Sequence, residues 1–311
     1  MHSLFSAPTP LEKLKSPKEG VQLFIKRDDL LHPEGDEYFC GNKWRKLKYN
    51  LIKARAEGHQ QLLTFGGAFS NHIAAVASAG QLFGFKTIGI IRGEAQVSLN
   101  PTLQHAEAMG MRLVYWDRAR YREKENPAAI AALKKSFGSF YLLPEGGTNA
   151  LALQGVGELV SELRAQIKLD HQTYLTLSCG TGGTMAGVIL ALQGQANVIG
   201  FPALKGDFLQ TEIENLLLQP GKKLTSWSLQ TTYHFGGYAK HQAELLSFMH
   251  LFKANNDIKL DPIYTGKLGF GVHDLIQKGY FLTGSTIIMI HTGGLQGIKG
   301  FQQRFPGFLD L

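Results

Sequence analysis

Short apolar segments alternate with amphipathic segments of helical length along most of the chain. This alternation is typical of parallel sheets, because two parallel strands need a crossover connection long enough to hold a helix. We therefore predict an α/β fold with mostly parallel, open sheets flanked by helices. The predicted strands are 61–65, 86–92, 112–116, 140–144, 173–178, 197–201 and 286–291.

The segment 157–167 shows the helical pattern most clearly. Its aliphatic residues recur every four positions, which places them on one face of a helix. That face is predicted to be buried. Glu158 and Glu162 lie off this face and are predicted to face solvent.

The length and composition predict a folded protein with two lobes. A chain of 311 residues with 44% hydrophobic and 18% charged residues has enough apolar surface for a large core. No apolar run approaches the roughly 20 residues that cross a bilayer, and the N-terminal stretch lacks a signal-peptide pattern. We therefore expect a cytoplasmic protein without a membrane partner.

The net charge of +7 does not by itself predict a nucleic-acid partner, because the basic residues are spread along the chain without a long basic tract. Anionic small molecules suit this charge equally well. Cys40 and Cys179 are far apart and belong to no metal-binding pattern, so neither a metal site nor a disulfide is expected. Both are predicted to be small buried residues.

A glycine-rich loop, SCGTGGTMAG at 178–187, follows a predicted strand and opens a predicted helix. Free N–H groups at a helix N-terminus favour an anion, and glycines let the chain curve closely around a phosphate. A dinucleotide fingerprint would need glycine where Met185 stands, and no nucleotide-triphosphate loop is present. A single phosphate monoester remains, with a ligand-free turn as the alternative. The candidate residues are Gly180, Thr181, Gly182, Gly183 and Thr184.

Lys43 stands directly behind Gly-Asn in the segment YFCGNKWRKLKYNL. A site for one phosphate, together with an isolated lysine, suggests pyridoxal phosphate, whose aldehyde condenses with a lysine amine. An amine that must be nucleophilic near neutral pH benefits from desolvation and from neighbouring positive charge, and Arg45, Lys46 and Lys48 are expected to supply the charge. The alternative is the basic start of a solvated helix.

Seven ordered motifs resemble the fold type II pyridoxal-phosphate enzymes, specifically the 1-aminocyclopropane-1-carboxylate deaminase and D-cysteine desulfhydrase family. The resemblance covers nearly the whole chain, and seven motifs in order are far more specific than one. The motifs are KRDDLLHP from 26, GNKWRKL from 41, GGAFSNH from 66, PEGGTNALALQG from 144, CGTGGTMAG from 179, DPIYTGK from 261 and HTGG from 291.

The resemblance implies roles for the early motifs. Lys43 would be the Schiff-base residue and proton carrier, and Lys46 would reach the cofactor phosphate. Ser70 would lie beside the substrate carboxylate and Asn71 beside the phenolic oxygen of the cofactor. His72 would help to hold the carboxylate at the start of its helix. Without the resemblance, Ser70 and Asn71 would be interpreted as helix N-cap residues.

The late motifs imply the substrate. By the resemblance, Tyr238 and Tyr264 are active-site tyrosines, although the match around Tyr238 is looser. Deaminase members have Glu after the second tyrosine and Leu after the late histidine, whereas desulfhydrase-like members have hydroxyl residues. This chain has Thr265, implied to contact the cofactor, and Thr292, implied to contact the substrate. The hypothesis is therefore β-elimination from a D-cysteine-like amino acid.

Three alternatives remain beside this hypothesis. They are a 1-aminocyclopropane-1-carboxylate deaminase, a pyridoxal-phosphate binding protein without this turnover, and a serine hydrolase using Ser70 with a histidine. The hydrolase is disfavoured, because Ser70 and His72 face apart on a helix and no G-x-S-x-G elbow is present. His291 ends an apolar strand and is predicted to be structural.

The resemblance also implies the domain organisation. A large cofactor-binding domain is expected to comprise 1–47 and 153–311, and a small domain 48–152, with the cofactor between them. Family members are commonly homodimers, so a homodimer is expected here.

Overall fold

The structure is a computed structural model that describes residues 5–95, 97–218 and 224–305. Within these residues, strands form two open sheets and helices flank them. The strands are Leu11–Leu14 (β1), Gln22–Lys26 (β2), Gln61–Gly67 (β3), Lys86–Arg92 (β4), Met111–Trp116 (β5), Tyr141–Leu143 (β6), Thr173–Cys179 (β7), Asn197–Pro202 (β8), Ser226–Leu229 (β9) and Thr286–Ile290 (β10). The helices are Gly41–Ala56 (α1), Asn71–Phe83 (α2), Pro101–Ala108 (α3), Arg118–Arg122 (α4), Pro127–Phe137 (α5), Ala150–Gln166 (α6), Gly183–Leu192 (α7), Phe208–Leu217 (α8), Ala243–Asn256 (α9), Thr265–Gln277 (α10) and Gly297–Arg304 (α11).

The larger sheet has the strand order β1-β2-β10-β7-β8-β9 and is parallel except for the β1–β2 pair. Thr286 of β10 pairs with Gln22 of β2 on one side and Thr173 of β7 on the other. β10, from the C-terminal part of the chain, therefore lies between β2, from the N-terminal part, and β7.

The smaller sheet has the order β5-β4-β3-β6 and is wholly parallel. Leu63 of β3 pairs with Ile88 of β4 and Leu142 of β6. Because all four strands run the same way, their carboxyl ends lie along one edge of the sheet. That edge carries the loops that follow β3, β4 and β6.

Both faces of the smaller sheet are covered. Leu62 belongs to the apolar core that includes Leu47 and Leu51 of α1, whereas the next residue, Leu63, belongs to the core that includes Leu133 of α5. Successive residues of a strand point to opposite faces, so burial on both faces gives the unbroken apolar runs seen in the sequence.

The predicted α/β architecture with mostly parallel sheets is confirmed, and all seven predicted strands are present. The sequence interpretation missed β1, β2 and β9, which have four or five residues each. Such short strands carry too little pattern to be recognised from alternation alone. The domain boundaries after residues 47 and 152 stay a prediction. None of the helices in the described ranges is long and apolar enough to cross a membrane.

A buried ionic network holds α1 in place. Arg45 donates hydrogen bonds to both oxygens of Asp28 at 2.7 Å and to Glu162 of α6 at 2.9 Å. Lys26 of β2 pairs with the other oxygen of Glu162 at 2.8 Å. Two cations and two carboxylates therefore balance one another, and the network joins β2, α1 and α6.

The prediction that Glu162 faces solvent is wrong, whereas the Glu158 side chain stays 33% exposed. The Glu162 side chain is only 12% exposed and pairs with Lys26 and Arg45, and Glu158 pairs with Lys48. A buried carboxylate is tolerated off the apolar face of α6 because cations from distant segments meet it there. Helical periodicity alone does not reveal those partners.

We expect Arg45→Met to lower the free energy of unfolding by about 3–5 kcal/mol, because Asp28 would stay buried without its cation. Urea denaturation of the purified protein measures this loss. The matched control is Lys53→Met, which removes an exposed cation of the same helix paired with Glu57. The control should change the free energy of unfolding by less than about 1 kcal/mol. Equally small losses in both variants would contradict a stabilising role for the network.

Candidate active site

Lys46 lies on α1 with its amine buried at the start of α7. Its Nζ donates to the Gly146 carbonyl at 2.6 Å and to the Thr148 hydroxyl at 2.8 Å. No carboxylate of the described residues acts on its charge; burial, and then the charge of Lys43, lower the pKa of Lys46 well below its usual value. An anion bound beside Lys46 would supply the missing counter-charge.

The glycine-rich loop brings the N-terminus of α7 against the Lys46 amine. α7 begins at Gly183, and its N-cap residue Gly182 supplies no side-chain acceptor for the first N–H groups. A Cβ atom at Gly183 would overlap the Thr148 side chain and lie 3.1 Å from Lys46 Nζ. Glycine is therefore required at this close approach, and the free N–H groups remain available to an anion.

Two threonine hydroxyls of the loop have different partners. Thr181 exchanges a hydrogen bond with Thr148, with 2.9 Å between the hydroxyl oxygens. The Thr184 hydroxyl oxygen accepts a hydrogen bond from the Asn42 amide at 3.1 Å. The proton of Thr184 therefore stays available for a ligand.

These features fit a phosphate monoester of the kind that pyridoxal phosphate carries. The cradle has a buried amine without a counter-charge, uncapped helix N–H groups and a hydroxyl proton. Lys46, Gly182, Gly183 and Thr184 are the predicted residues that the structure brings together there. Gly180 lies beside the cradle, where a Cβ atom would be 3.5 Å from the Tyr264 hydroxyl.

Lys43 lies three residues before Lys46, on the same face of α1. Its Nζ donates to the Asn42 side-chain oxygen at 3.1 Å. Burial lowers the pKa of Lys43 to about 8, although Cys40 and Asp261 act in the opposite direction. A substantial fraction of this amine is therefore uncharged near neutral pH, as a nucleophile or base requires.

Of the two expected causes of this lowered pKa, desolvation is confirmed, because burial lowers the pKa of Lys43. The expectation that neighbouring cations lower it is wrong. Arg45 turns away to Asp28, and Lys48 pairs with Glu158. Cys40 and Cys179 are both buried, as predicted.

A close contact fixes the start of α1. Gly41 has a φ of +53°, and a Cβ atom there would overlap the Thr292 carbonyl oxygen. The N–H of Asn42 donates to the same carbonyl at 3.3 Å. Thr292 itself is buried. The loop after β10 therefore positions the turn that carries Lys43.

Ser70 and Asn71 lie where α2 begins. The Ser70 hydroxyl oxygen accepts the Ile73 N–H, which confirms the predicted N-cap role. The Asn71 side chain lies against the loop after β10, because a Cβ atom at Gly294 would be 3.0 Å from its Nδ2. The free N–H groups at the start of α2 thus face a loop of the larger sheet.

The His72 ring is buried beneath the smaller sheet. Thr64 donates its hydroxyl proton to the Leu143 carbonyl at 3.0 Å, so His72 Nε2 is the donor in the 2.9 Å contact with Thr64. His72 Nδ1 then carries a lone pair and has no partner among the described residues. Burial, and then Lys46 and Lys43, lower the pKa of His72 well below its usual value, so the ring is neutral.

The two predicted tyrosines lie side by side. The rings of Tyr238 and Tyr264 are 6.2 Å apart at an angle of 71°. Burial, and then Tyr238 and Asp261, raise the pKa of Tyr264 well above its usual value. Burial also raises the pKa of Tyr238. Both phenols therefore stay protonated near neutral pH and act as hydrogen-bond donors.

Asp261 is a buried residue that the sequence interpretation did not single out. One of its oxygens accepts the Ile263 and Tyr264 N–H groups, and the other accepts the N–H and hydroxyl of Thr265. The Thr265 hydroxyl oxygen also accepts the Asp261 N–H at 2.8 Å. Thr265 has therefore committed its proton and offers a ligand only a lone pair.

Other residues of the site were missed as well. Asn42, Thr148 and Lys267 lie inside the recognised motifs, but their partners come from distant parts of the chain. Their position inside these motifs was the sequence feature that could have identified them as site residues. His291 Nε2 donates to the Lys259 carbonyl at 2.7 Å, and its Nδ1 accepts the Gly293 N–H at 3.3 Å, in agreement with a structural role. The described ranges contain no cluster of histidine, cysteine and carboxylate side chains suited to a metal ion.

Lys267 of α10 holds the loop that carries Tyr238. Its buried amine donates to the His234 carbonyl at 2.9 Å and to the Gly237 carbonyl at 2.8 Å. Burial lowers the pKa of Lys267 to about 8. Because these carbonyls flank the turn before Tyr238, the amine positions that side chain.

We expect Lys267→Met to speed amide hydrogen exchange in residues 234–240, because two carbonyls lose their donor. The loss of stability should be about 1–3 kcal/mol. Hydrogen exchange followed by mass spectrometry measures the local effect, with β7 as an internal reference. Lys278→Met removes an exposed cation directly after the same helix and is the control. Unchanged exchange in 234–240 would show that Lys267 does not hold this loop.

Comparison with known proteins assigns the family. The family model of pyridoxal-phosphate dependent enzymes matches residues 2–293. A putative 1-aminocyclopropane-1-carboxylate deaminase of Pyrococcus horikoshii is 30% identical over 93% of this chain and 90% of its own. A D-cysteine desulfhydrase of Klebsiella pneumoniae is 29% identical over 96% of this chain and 95% of its own.

A solved structure agrees with these sequence matches. The crystal structure of an ACC deaminase homologue superposes with a TM-score of 0.82 at 28% identity, covering 98% of this chain and 95% of that one. The two mostly parallel sheets, the phosphate-sized cradle and the buried Lys43 all agree with this relationship. The chain belongs to the pyridoxal-phosphate dependent enzymes of fold type II, in the 1-aminocyclopropane-1-carboxylate deaminase and D-cysteine desulfhydrase family.

Proposed function

We propose that the enzyme catalyses β-elimination from a small, D-cysteine-like amino acid and forms pyruvate, ammonia and sulfide. The observation that carries this proposal is Thr265, which stands where deaminase-like members have glutamate. Its hydroxyl proton is donated to Asp261 at 2.7 Å. Both oxygens of Asp261 also accept backbone N–H groups, from Ile263 and Tyr264 before α10 and from Thr265 at its start. The position therefore presents a neutral acceptor and no carboxylate.

The electronic consequence favours the elimination. A carboxylate against the pyridine nitrogen keeps it protonated and makes the ring a deep electron sink, whereas a threonine oxygen does so less strongly. Expulsion of a thiolate after loss of the α proton requires less electron withdrawal than opening a cyclopropane ring. Thr265 and Thr292 thus support a desulfhydrase more than a deaminase.

The residues of this chain bind the cofactor and transfer the proton. Bound pyridoxal phosphate supplies the aldehyde that takes up the substrate amine and the ring that withdraws electrons from the α carbon. Lys46, Thr184 and the start of α7 hold the phosphate, with Asn71 beside the ring. Lys43 accepts the α proton, the C–H electrons form the C=C bond, and the thiolate leaves with the C–S electrons. Water then converts the released enamine to pyruvate and ammonia.

The substrate is oriented by groups that stay neutral. Ser70 and the free backbone N–H groups at the start of α2, where His72 stands, hold its carboxylate. Tyr238 and Tyr264 donate hydrogen bonds as protonated phenols. Together these groups orient the substrate without a competing negative charge.

Other functions are weaker candidates. The deaminase remains the first alternative, and a pyridoxal-phosphate binding protein without this turnover is the second. A serine hydrolase lacks support, because Ser70 caps α2 and the His72 ring faces Thr64. The homodimer, the cytoplasmic location and the two-domain boundaries are part of the same proposal.

We expect borohydride reduction of the cofactor-loaded enzyme to attach the cofactor to Lys43, as read by peptide mass spectrometry. The rate at which the apoprotein takes up the cofactor covalently should rise as the pH increases through about 8. This direction follows because the uncharged amine is the nucleophile and burial lowers its pKa. An ordinary lysine would show the rise near pH 10.5. Lys46→Met should still be labelled at Lys43, whereas a label on another lysine would refute the assignment.

Turnover tests the substrate. Sulfide, pyruvate and 2-oxobutanoate are measured with D-cysteine, L-cysteine and 1-aminocyclopropane-1-carboxylate as separate substrates. We expect sulfide and pyruvate from D-cysteine and no product from the cyclopropane. Lys43→Ala should lower the rate by at least about 10³-fold, because both the attachment point and the base are lost. 2-Oxobutanoate and ammonia from the cyclopropane alone would replace the desulfhydrase proposal with the deaminase.

A further inference from the structure

A cavity of about 580 Å³ opens at the carboxyl edge of the smaller sheet. Its wall is formed by the end of β4, by α4 and by the turn after β6. The lining comprises four cationic side chains, one phenol and one carboxylate. They are Arg92, Arg118, Arg122, Lys124, Tyr121 and Glu145.

The cations in this cavity outnumber the carboxylates. Lys124 pairs with Glu145 at 3.3 Å. In the part of the chain that the structure describes, no carboxylate lies within ion-pair distance of Arg92, Arg118 or Arg122. Arg92, Arg118 and Arg122 are exposed, and the Arg92 guanidinium lies 5.8 Å from the Tyr121 ring centroid. An anion can therefore reach these cations from solvent, and its charge would reduce the repulsion among them.

Tyr121 independently indicates a ligand. Its residue is only 3% exposed, and its hydroxyl lies beside Glu145 but makes no hydrogen bond of normal geometry with the described residues. Burial, and then the nearby Glu145, raise the pKa of Tyr121, so the phenol is a neutral donor. A buried hydroxyl without an acceptor is costly, and an acceptor oxygen in the cavity would satisfy it.

The cavity adjoins the candidate active site. The Arg92 guanidinium lies over the end of β3, where a Cβ atom at Gly67 would be 3.7 Å from its Nη2. Its charge also acts on Tyr238, whose pKa it lowers against the larger effect of burial. Glu145 directly precedes Gly146, whose carbonyl accepts the Lys46 amine. The active site and the cavity therefore share the loops at this edge.

We propose that the cavity binds a small oxyanion, a carboxylate or phosphate group, through Arg92, Arg118 and Arg122, with Tyr121 donating a further hydrogen bond. The planar guanidinium groups match the geometry of such oxygens. The bound oxyanion can come from two sources. It is either an acidic group at the far end of an amino-acid substrate or a free anion. The first source rests on the proposed function, and the second does not.

Calorimetric titration of the cofactor-loaded enzyme with inorganic phosphate and with succinate tests the site without turnover. Arg118→Gln and Arg122→Gln should each weaken binding about fivefold to tenfold, as loss of a charge-assisted hydrogen bond predicts. Arg120→Gln is the matched control, because it removes the same charge from α4 but this guanidinium lies over Trp116, 4.3 Å from the ring centroid. The proposal would be overturned if neither phosphate nor succinate bound, or if all three variants bound these anions with equal affinity. Circular dichroism verifies that the variants are folded.

A second titration distinguishes the two sources. The absorption of the bound cofactor is followed while D- and L-glutamate, or D- and L-alanine, are added. If Arg118→Gln weakens the glutamate response and spares alanine, the anion is carried by the substrate. If the variant weakens phosphate binding but neither amino-acid response, the anion is free. Absence of sulfide formation would refute the proposed reaction while leaving the calorimetric result intact.

Discussion

The position of α1 depends on the buried pairing of Arg45 with Asp28 and Glu162. Buried charges leave little freedom, because any displacement exposes one of them without its partner. α1 also packs so closely on α6 that a Cβ atom at Gly155 would overlap the Arg45 carbonyl oxygen. Lys43 and Lys46 project from another face of this fixed helix, which sets their position relative to α7.

The two amines of α1 resemble each other in sequence but differ in their surroundings. Lys46 is held by the Gly146 carbonyl and the Thr148 hydroxyl, whereas Lys43 contacts only the Asn42 side chain among the described polar groups. The Lys46 amine suits a permanent anion, whereas Lys43, whose pKa burial lowers to about 8, suits a reaction that gains and loses a proton. Binding of the cofactor phosphate would therefore also stabilise the fold, since it neutralises a buried amine.

The site forms where strand ends and helix starts converge. α2 and α7 begin just beyond the carboxyl ends of β3 and β7, and both present uncommitted N–H groups. This is the usual consequence of parallel α/β architecture, which concentrates ligand sites at that edge of the sheet. At α10, by contrast, Asp261 occupies the first N–H groups, so that helix serves to orient Thr265. The capping of these helices therefore decides their roles. α2 and α7 keep free N–H groups for a ligand, whereas the capped α10 positions Thr265.

Local pattern was sufficient to predict seven strands and the glycine loop at 178–187, because period and glycine spacing are properties of neighbouring residues. The choice of Lys43 as the reactive lysine depended on the order of seven motifs along the chain, and its role stays a prediction. Local pattern was not sufficient for the pairing of Glu162, the committed proton of Thr265 or the cavity beside Arg92. Burial, which lowers the pKa of Lys43, also follows from contacts between distant segments. Such contacts decide which charges are paired and which groups lose water, so only the tertiary structure determines the chemistry of these side chains.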